Sequence, residues 1–189
     1  MTLLGAVTAG ECVYIAADSL QAWPQAGYGD TVDKLKKLQR DEVVWGWYGN
    51  SAAALDFADK VESFPSSFGN WDNLTLQHQQ YAEMLNRKHH REGGFAVLFA
   101  GRLLGNYSFR AYGGHTLLAN DDWCFVGQSR LAAKVAWLVL TAADAASDRG
   151  ERLRLVMGTT IDASQPYLGP PLGRWRIDAN GCTDLGATP

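Results

Sequence analysis

The order of strand-like and helix-like segments is the feature that most constrains the fold of this chain. Short apolar or alternating segments, typical of strands, form separate groups along the sequence. Segments with apolar residues at helical spacing interrupt and follow these groups. Each sheet and each helix has to bury its apolar face against another layer. The sequence therefore predicts an α+β fold in which two sheets pack face to face and are covered by helices.

The predicted elements have definite bounds. Strands are predicted at 2–8, 12–17, 34–39, 42–48, 95–100, 104–112, 123–126, 152–158 and 174–178. Short turns are predicted at Ala9-Gly10-Glu11 and at Gly101-Arg102, and an irregular loop at 165–173. Helices are predicted from Asn50 or Ser51 to about residue 64, over 74–91 and over 129–147. In the last helix the predicted buried stripe consists of Leu131, Val135, Leu138 and Ala142.

Composition narrows the class of protein. A length of 189 residues predicts a single domain over residues 2–189, and a net charge of −3 argues against nucleic-acid or membrane partners. The chain has neither a membrane-length apolar segment nor a secretory signal, so the expected location is the cytoplasm. Its three widely spaced cysteines suggest neither disulfides nor zinc. No cofactor and no metal are predicted.

Thr2 is the first candidate functional residue. Its side chain is small enough for an aminopeptidase to remove Met1, which would leave threonine at the N-terminus. Such a residue carries a hydroxyl nucleophile together with an α-amine whose ordinary pKa is about 7.7–8.0. The amine can therefore serve as the base that activates the hydroxyl of the same residue.

Two charged residues follow Thr2 at equal spacing. Asp18 lies sixteen residues after Thr2 and ends a predicted buried strand, and Lys34 lies sixteen residues further on. Buried charges need partners whatever their purpose, so the two residues are expected to pair. The pair alone leaves open whether it takes part in catalysis or is a simple ion pair.

Together these segments resemble proteasome β-subunits and their bacterial relative HslV. The resemblance rests on Thr2, Ala16-Ala17-Asp18-Ser19, Lys34 and the glycines of the segment 43–49, and it covers roughly residues 2–62. It implies an N-terminal-nucleophile hydrolase of the threonine type. The implied fold is a four-layer αββα sandwich with Thr2 at an edge between the sheets.

The resemblance also implies roles for individual residues. Thr2 would be the nucleophile, Lys34 would lower the pKa of its hydroxyl, and Asp18 would hold Lys34. Gly46 would supply an oxyanion N–H, although glycines at 46 and 49 also suit a tight turn before a helix. Ser129 would lie near the nucleophile or would serve as a helix N-cap.

Two positions depart from the family pattern. Gln128 stands where the family has a serine, one place before Ser129. Arg154, in the predicted strand 152–158, aligns with a family aspartate, and arginine cannot accept a hydrogen bond there. The hydrolytic network is therefore expected to be rebuilt, or activity to be slow or absent.

The family pocket positions correspond to Val32, Val44, Tyr48 and Ala52, which suggests apolar specificity. The resemblance implies homo-oligomeric stacked rings that enclose the sites, peptide or unfolded-protein substrates, and the option of an ATP-dependent unfoldase. The predicted function is a threonine-type endopeptidase subunit. A non-catalytic ring subunit and a small-molecule amidase with the same nucleophile are the alternatives.

Overall fold

The computed structural model describes residues 2–23, 27–31, 33–38, 42–61, 80–81, 84–85, 87–88, 95–103, 106–113, 116–117, 122–143, 148–164, 168–170 and 172–186. The strands are β1 (Leu3–Thr8), β2 (Val13–Asp18), β3 (Leu20–Trp23), β4 (Gly27–Thr31), β5 (Leu35–Lys37), β6 (Val43–Gly49), β7 (Phe95–Leu103), β8 (Asn106–Gly113), β9 (Thr116–Leu117), β10 (Trp123–Gly127), β11 (Leu172–Asp178) and β12 (Gly181–Asp184). The helices are α1 (Ser51–Val61), α2 (Arg130–Ala142) and α3 (Arg149–Ala163).

Within the described part of the chain, the strands form two five-stranded antiparallel sheets and a separate hairpin. The first sheet has the order β10-β1-β2-β11-β12, and the second has the order β5-β6-β7-β8-β9. The hairpin consists of β3 and β4. Since β1 and β2 are interior strands of the first sheet, the residues at their ends are held on both sides.

Three apolar clusters hold the layers together. Between the sheets, residues such as Leu4 and Ile15 pack against Val44 and Leu98. A second cluster joins α1 to the outer face of the second sheet. A third joins α2 and α3 to the outer face of the first sheet. The layers therefore run helix, sheet, sheet, helix, which confirms the predicted αββα sandwich.

The predicted opening hairpin is confirmed. β1 and β2 pair from Leu4 with Ala17 to Thr8 with Val13. The strands predicted around Lys34, at 42–48, 123–126 and 174–178 also form, with small shifts at their ends. The sequence patterns missed the β3–β4 hairpin, β9 and β12.

The strand predicted at 152–158 is wrong, because these residues lie inside α3. The carboxylate of Asp148 accepts a hydrogen bond from the N–H of Glu151 at 2.7 Å, which caps the helix. The alternation of arginine and leucine here resembles a half-exposed strand, but the buried positions follow helical spacing. These are Arg152, Leu153, Val156, Met157, Thr160 and Ile161.

The buried stripe predicted for the helix at 129–147 is also wrong. α2 buries Ala133 and Trp137, whereas Leu131, Val135 and Leu138 are 69, 61 and 57% exposed. This helix is apolar on more than one side, so periodicity cannot choose the face. Trp137 decides it, because its ring lies 5.8 Å from that of Trp123, and burial of a large aromatic ring outweighs burial of smaller side chains.

The remaining helix and turn predictions have mixed outcomes. The side chain of Asn50 accepts a hydrogen bond from the N–H of Ala53 at 2.9 Å and so caps α1, as predicted. Gly101-Arg102 is not a turn, because both residues belong to β7 and pair with residues of β8. Of the helix predicted at 74–91, residues 80, 81, 84, 85, 87 and 88 are helical, and the others lie outside the described residues. None of the described helices is long and apolar enough to cross a membrane.

The two faces of α1 provide a test of this layer. Phe57 is fully buried and packs edge-on against Trp45, whereas Leu55, two residues away, is 67% exposed. We expect Phe57→Ala to lower the free energy of unfolding by about 3–5 kcal/mol. Leu55→Ala should change it by no more than about 0.5 kcal/mol. Urea denaturation measures both, and equal effects would contradict the assignment of the buried face.

Candidate active site

Thr2 is buried at the start of β1, with 5% of its surface exposed. Its carbonyl accepts a hydrogen bond from the N–H of Gln128 at 2.8 Å. The next N–H along the chain, that of Leu3, donates to Oδ1 of Asp18 at 2.7 Å. The backbone on both sides of the Thr2 carbonyl carbon is therefore fixed by neighbouring segments of the first sheet.

Asp18 and Lys34 form a buried ion pair, as predicted. Lys34 Nζ lies 3.0 Å from Asp18 Oδ2, and the two side chains are 4 and 0% exposed. Asp18 ends β2 in the first sheet, and Lys34 immediately precedes β5 in the second. The pair therefore joins the two sheets beside the residue that follows Thr2.

Burial shifts the pKa values of both partners toward their neutral forms. Burial raises the pKa of Asp18, against the opposing influence of Lys34 and of the Leu3 N–H. Burial likewise lowers the pKa of Lys34, against the opposing influence of Asp18. The Lys34 ammonium therefore loses its proton at a lower pH than an ordinary lysine does. Without Asp18, that pKa would be lower still.

Gly127 makes room for the carbonyl of Thr2. Its φ is +102°, and a Cβ built on it would overlap the carbonyl oxygen of Thr2 and lie 3.1 Å from Cδ2 of Tyr48. A side chain at this position would displace either the Thr2 carbonyl or the turn that binds it. Glycine is therefore required both for the backbone conformation and for the close approach.

The alternation of hydrogen bonds in antiparallel pairs fixes the direction of the Gly46 N–H. On one side of β6, the N–H of Leu38 donates to the carbonyl of Val43, so odd-numbered residues face β5. On the other side, the N–H of Arg102 donates to the carbonyl of Glu42, so even-numbered residues, including Gly46, face β7. The Gly46 N–H is thus turned into the sheet, and the oxyanion role predicted for it does not hold.

Gly46 has a different structural purpose. A Cβ there would lie 2.9 Å from a methyl of Leu35 and 3.0 Å from the carbonyl oxygen of Lys34. The glycine therefore allows β6 to approach the segment that carries Lys34. The same alternation leaves the N–H groups of Trp47 and Gly49 on the β5 side, toward Lys34.

Ser129 occupies the N-cap position of α2 but does not cap it. Its backbone is left-handed (φ 60°, ψ 12°), and its side chain makes no capping hydrogen bond. Instead, its Oγ lies 2.9 Å from Oγ of Ser164, at the end of α3. Ser164 was not predicted as a site residue, because the 35 residues between the two serines leave no local signal.

The two departures from the family pattern have structural explanations. At Gln128 the backbone N–H binds Thr2, so the identity of its side chain, which is exposed, has little bearing on that contact. Arg154 lies in α3 and bonds Glu151 at 2.8 and 2.9 Å. The start of α3 packs on Tyr14, four residues from Asp18 along β2. Arg154 is thus paired with a carboxylate of its own helix.

The predicted pocket residues separate into three groups. Val44 is fully buried between the sheets and is not accessible to a substrate, which corrects that prediction. Tyr48 is half-buried beside Gly127, and Ala52 is exposed in the first turn of α1. Val32 lies outside the described residues. Among the described residues, no cluster of histidine, cysteine, aspartate or glutamate could hold a metal ion.

The four-layer αββα sandwich is the fold of N-terminal-nucleophile hydrolases. Solved structures with this fold include eukaryotic HslV from Trypanosoma brucei, with a TM-score of 0.68 and 19% identity. That comparison covers 94% of this chain and 99% of the other. The resemblance to HslV in sequence motifs is thus confirmed in the fold.

Two structures of Anbu have the same fold. The Gly-1 mutant from Hyphomicrobium sp. strain MC1 has a TM-score of 0.77 and 13% identity over 100% of this chain and 86% of that one. Anbu from Yersinia bercovieri, described as an ancestral beta-subunit, has a TM-score of 0.78 and 13% identity. That comparison covers 97% of this chain and 86% of the other. No protein-family model and no curated protein sequence matches this chain.

Two glycines with nearly the same φ test the contact at Thr2. Gly127 and Gly181 have φ of +102° and +101°, but a Cβ at Gly181 would meet nothing within 4 Å. Gly181→Ala should therefore lower the free energy of unfolding only by the cost of the positive φ, about 1–2 kcal/mol. Gly127→Ala should lower the free energy of unfolding by at least about 2 kcal/mol more, because of steric overlap and the weakened Gln128–Thr2 hydrogen bond. Chemical denaturation compares the two, and equal losses would argue against a tight contact with Thr2.

Proposed function

We propose that this chain is a threonine-type peptidase in which Thr2 becomes the N-terminal nucleophile after Met1 is removed. The observation that carries the proposal is the buried Lys34–Asp18 pair. One carboxylate oxygen binds the ammonium, and the other binds the N–H of Leu3, directly after Thr2. A buried pair whose pKa values are shifted by burial is typical of a catalytic site.

In the proposed reaction, Thr2 Oγ attacks the carbonyl carbon of a peptide bond while the α-amine accepts the hydroxyl proton. The C–N bond then breaks, and the leaving amine takes that proton from the α-ammonium. The product of this step is an ester between the substrate acyl group and Thr2. Water, deprotonated by the same amine, attacks the ester and restores the free hydroxyl.

Lys34 acts through its charge in this scheme. A positive charge near the nucleophile stabilises the developing alkoxide and lowers the pKa of the hydroxyl. Asp18 keeps that ammonium protonated against the effect of burial. Lys34 therefore works as an electrostatic stabiliser, whereas the α-amine transfers the proton.

The oxyanion formed from the substrate carbonyl needs hydrogen-bond donors. We assign this role to the backbone of Trp47 and Gly49 in place of Gly46, because their N–H groups lie on the Lys34 side of β6. Gly49 is exposed and lies next to the start of α1, whose dipole favours negative charge. Such a donor contributes about 3 kcal/mol to lowering the barrier.

The proposal extends to assembly and substrates. Residues 2–189 would act as one domain, and copies would form stacked rings that enclose the Thr2 sites in the cytoplasm. Peptides or unfolded proteins would be the substrates, and an ATP-dependent unfoldase would deliver the folded ones. Support comes from the fold shared with HslV and with Anbu, the latter named as a beta-subunit.

An epoxyketone peptide probe tests the nucleophile, because this warhead reacts with a hydroxyl and an adjacent free amine. We expect labelling of wild type at residue 2 with Met1 absent in the intact mass, and no labelling of Thr2→Ala. Lys34→Met should reduce the labelling rate by at least about 100-fold, since it removes the stabilising charge. The matched control is Lys36→Met, because Lys36 is half-exposed two residues away and should label as wild type does.

The outcomes of that experiment separate the alternative functions. Correctly processed wild-type protein that does not react would contradict the peptidase and favour a non-catalytic ring subunit. Labelling of a protein that stays monomeric by size-exclusion chromatography would favour a small-molecule amidase.

The pKa of Lys34 predicts the alkaline side of the pH profile. The rate should rise as the α-amine of Thr2 loses its proton. An ordinary α-amine has a pKa of about 7.7–8.0, so this rise is expected at neutral to mildly alkaline pH. It should fall as Lys34 is deprotonated, below the ordinary lysine pKa because burial lowers it. Since Asp18 raises the pKa of Lys34, Asp18→Asn should move this alkaline limb to lower pH.

The measurement is kcat/KM for a fluorogenic peptide across the neutral and alkaline range. Asn at position 18 keeps an oxygen for the Leu3 N–H but leaves the Lys34 charge without its carboxylate, so circular dichroism first establishes that the variant is folded. The control is Asp56→Asn, which removes a carboxylate that pairs with Lys88 on the surface. An alkaline limb that is unchanged in Asp18→Asn would rule out the proposed role of the Lys34 charge.

A further inference from the structure

A groove opens on the outer face of the first sheet, between the start of α3 and the strands β2 and β11. The residues of the proposed peptidase centre, Thr2, Asp18 and Lys34, are not among the described residues that line it. The groove has a volume of about 200 Å³. Pockets for drug-sized ligands occupy about 300–1,000 Å³, so a ligand that fills this groove is smaller. We call this site the α3 groove.

The alternation of side chains along β11 places two arginines in the α3 groove. Arg174 and Arg176 lie two residues apart and therefore point to the same face of the sheet. Their partners on β2 are Ala16 and Tyr14. Ala16 belongs to the apolar cluster that joins α2 and α3 to the first sheet. Both arginines therefore lie on the helix side of this sheet.

The positive charge of Arg174 has no partner among the described residues. Arg176 pairs with Asp178 at 2.8 Å, whereas Arg174 forms no such ion pair within the described chain. The Nε atom of Arg174 is buried and has no hydrogen-bond partner there either. Guanidinium groups bind carboxylates through pairs of such donors. A buried, unpaired Nε beside a groove thus indicates a missing acceptor.

A negative charge lines the same groove. Asp148, which caps α3, is exposed, and one of its oxygens accepts the N–H of Glu151. No cation of the described residues forms an ion pair with this carboxylate. Glu151 also lines the groove, but it is neutralised by Arg154. Arg174 and Asp148 are therefore the two charges of the described lining that the described chain leaves unneutralised.

The strand register sets the distance between these two charges. A Cβ at Gly150 would lie 2.6 Å from the ring of Tyr14, so the start of α3 rests on Tyr14. Burial raises the pKa of Tyr14, and the nearby carboxylate of Asp148 raises it further. Arg174 is level with Ala16, two strand positions from Tyr14, which corresponds to about 7 Å. An extended dipeptide also spans about 7 Å, twice the length of a single residue.

Apolar side chains surround the Arg174 end of the groove. Leu153 packs over Gly5, in the row of paired residues that contains Arg174. The N–H of Leu185 donates to the carbonyl of Arg174 at 3.0 Å, and the side chain of Leu185 is 38% exposed. An apolar ligand side chain would bury these leucines further and gain affinity. The ligand residue that carries the carboxylate is therefore expected to be apolar.

We propose that the α3 groove binds a zwitterionic dipeptide with an apolar C-terminal residue, with its carboxylate on Arg174 and its ammonium on Asp148. The inference goes beyond the proposed function, because the site is separate from Thr2 and binds its ligand whether or not Thr2 reacts. Short peptides are products of the proposed peptidase. The groove would thus be a site for its products, and that link alone rests on the proposed function.

Binding of the dipeptide Ala-Leu to the Thr2→Ala chain tests the site in the absence of turnover. We expect a Kd of about 1 mM by calorimetry, as for other ligands of this size. In saturation-transfer NMR the leucine methyls should receive the most saturation. Ala-Leu-amide lacks the carboxylate and acetyl-Ala-Leu lacks the ammonium, so each should bind at least about tenfold more weakly. Absence of binding, or equal binding of the three peptides, would overturn the proposal.

Two substitutions assign the two ends of the ligand. Arg174→Gln should weaken the binding of Ala-Leu at least about tenfold but should leave the already weak binding of Ala-Leu-amide unchanged. Asp148→Asn should likewise weaken Ala-Leu but not acetyl-Ala-Leu, and asparagine preserves the helix cap. Circular dichroism establishes that both variants are folded.

The matched control is Arg176→Gln. Arg176 lies on the same strand and the same face as Arg174, but its charge is already paired with Asp178. This control should therefore change the affinity for Ala-Leu by less than about twofold. Equal losses in Arg176→Gln and Arg174→Gln would contradict the assignment of the carboxylate to Arg174.

Inorganic phosphate distinguishes a dipeptide site from a general anion site. Phosphate has neither an ammonium for Asp148 nor an apolar group for the leucines, so it should not displace Ala-Leu at equal concentration. Displacement that is lost in Arg174→Gln would show that the groove binds anions in general, and the dipeptide would then be wrong.

The outcome for the α3 groove is independent of that for the peptidase. Probe labelling of Thr2 reports the proposed chemistry, whereas Ala-Leu binding is measured in a chain that lacks Thr2. A protein that is labelled but does not bind Ala-Leu keeps the function and loses the inference. A protein that binds Ala-Leu through Arg174 but is never labelled keeps the groove and loses the peptidase.

Discussion

The structure depends on the buried ion pair between Asp18 and Lys34. It is a polar link between two sheets that also pack through apolar side chains, and its two side chains are almost completely shielded from water. Burial acts against the charged form of each partner, and each partner opposes that effect on the other. Removing either charge would leave an uncompensated one, so the pair constrains the relative position of β2 and β5.

Thr2, the proposed nucleophile, is held through its backbone. Asp18 holds the N–H of Leu3, and the turn at Gly127 and Gln128 holds the carbonyl of Thr2. The Gln128 contact to Thr2 does not depend on the glutamine side chain, since the N–H that makes it belongs to every residue except proline. Ser129, strained in a left-handed conformation, continues the same turn and links the two helices through Ser164.

Local patterns in the sequence predict those elements whose structure depends on a short segment. They fail for elements whose structure depends on contacts with residues distant in sequence. The hairpin β1–β2 and the cap of α1 follow from short segments and were predicted. The buried face of α2 was not, because the helix is apolar on more than one side and the contacts of Trp137 select one of them. The segment 152–158 alternates like a strand, but the cap at Asp148 and the packing on the first sheet make it helical.

The sequence by itself determined the residue types of the site: threonine behind the initiator methionine, and an aspartate and a lysine at strand ends, which must pair if buried. It also determined the layered fold, because each amphipathic segment needs an apolar partner. Only the tertiary structure decided which atoms meet. Strand register turns the Gly46 N–H into the sheet, and the packing of α2 on α3 brings Ser164 to Ser129 and Arg152 to Thr141. Such registers arise from contacts between residues distant in sequence, which no local pattern encodes.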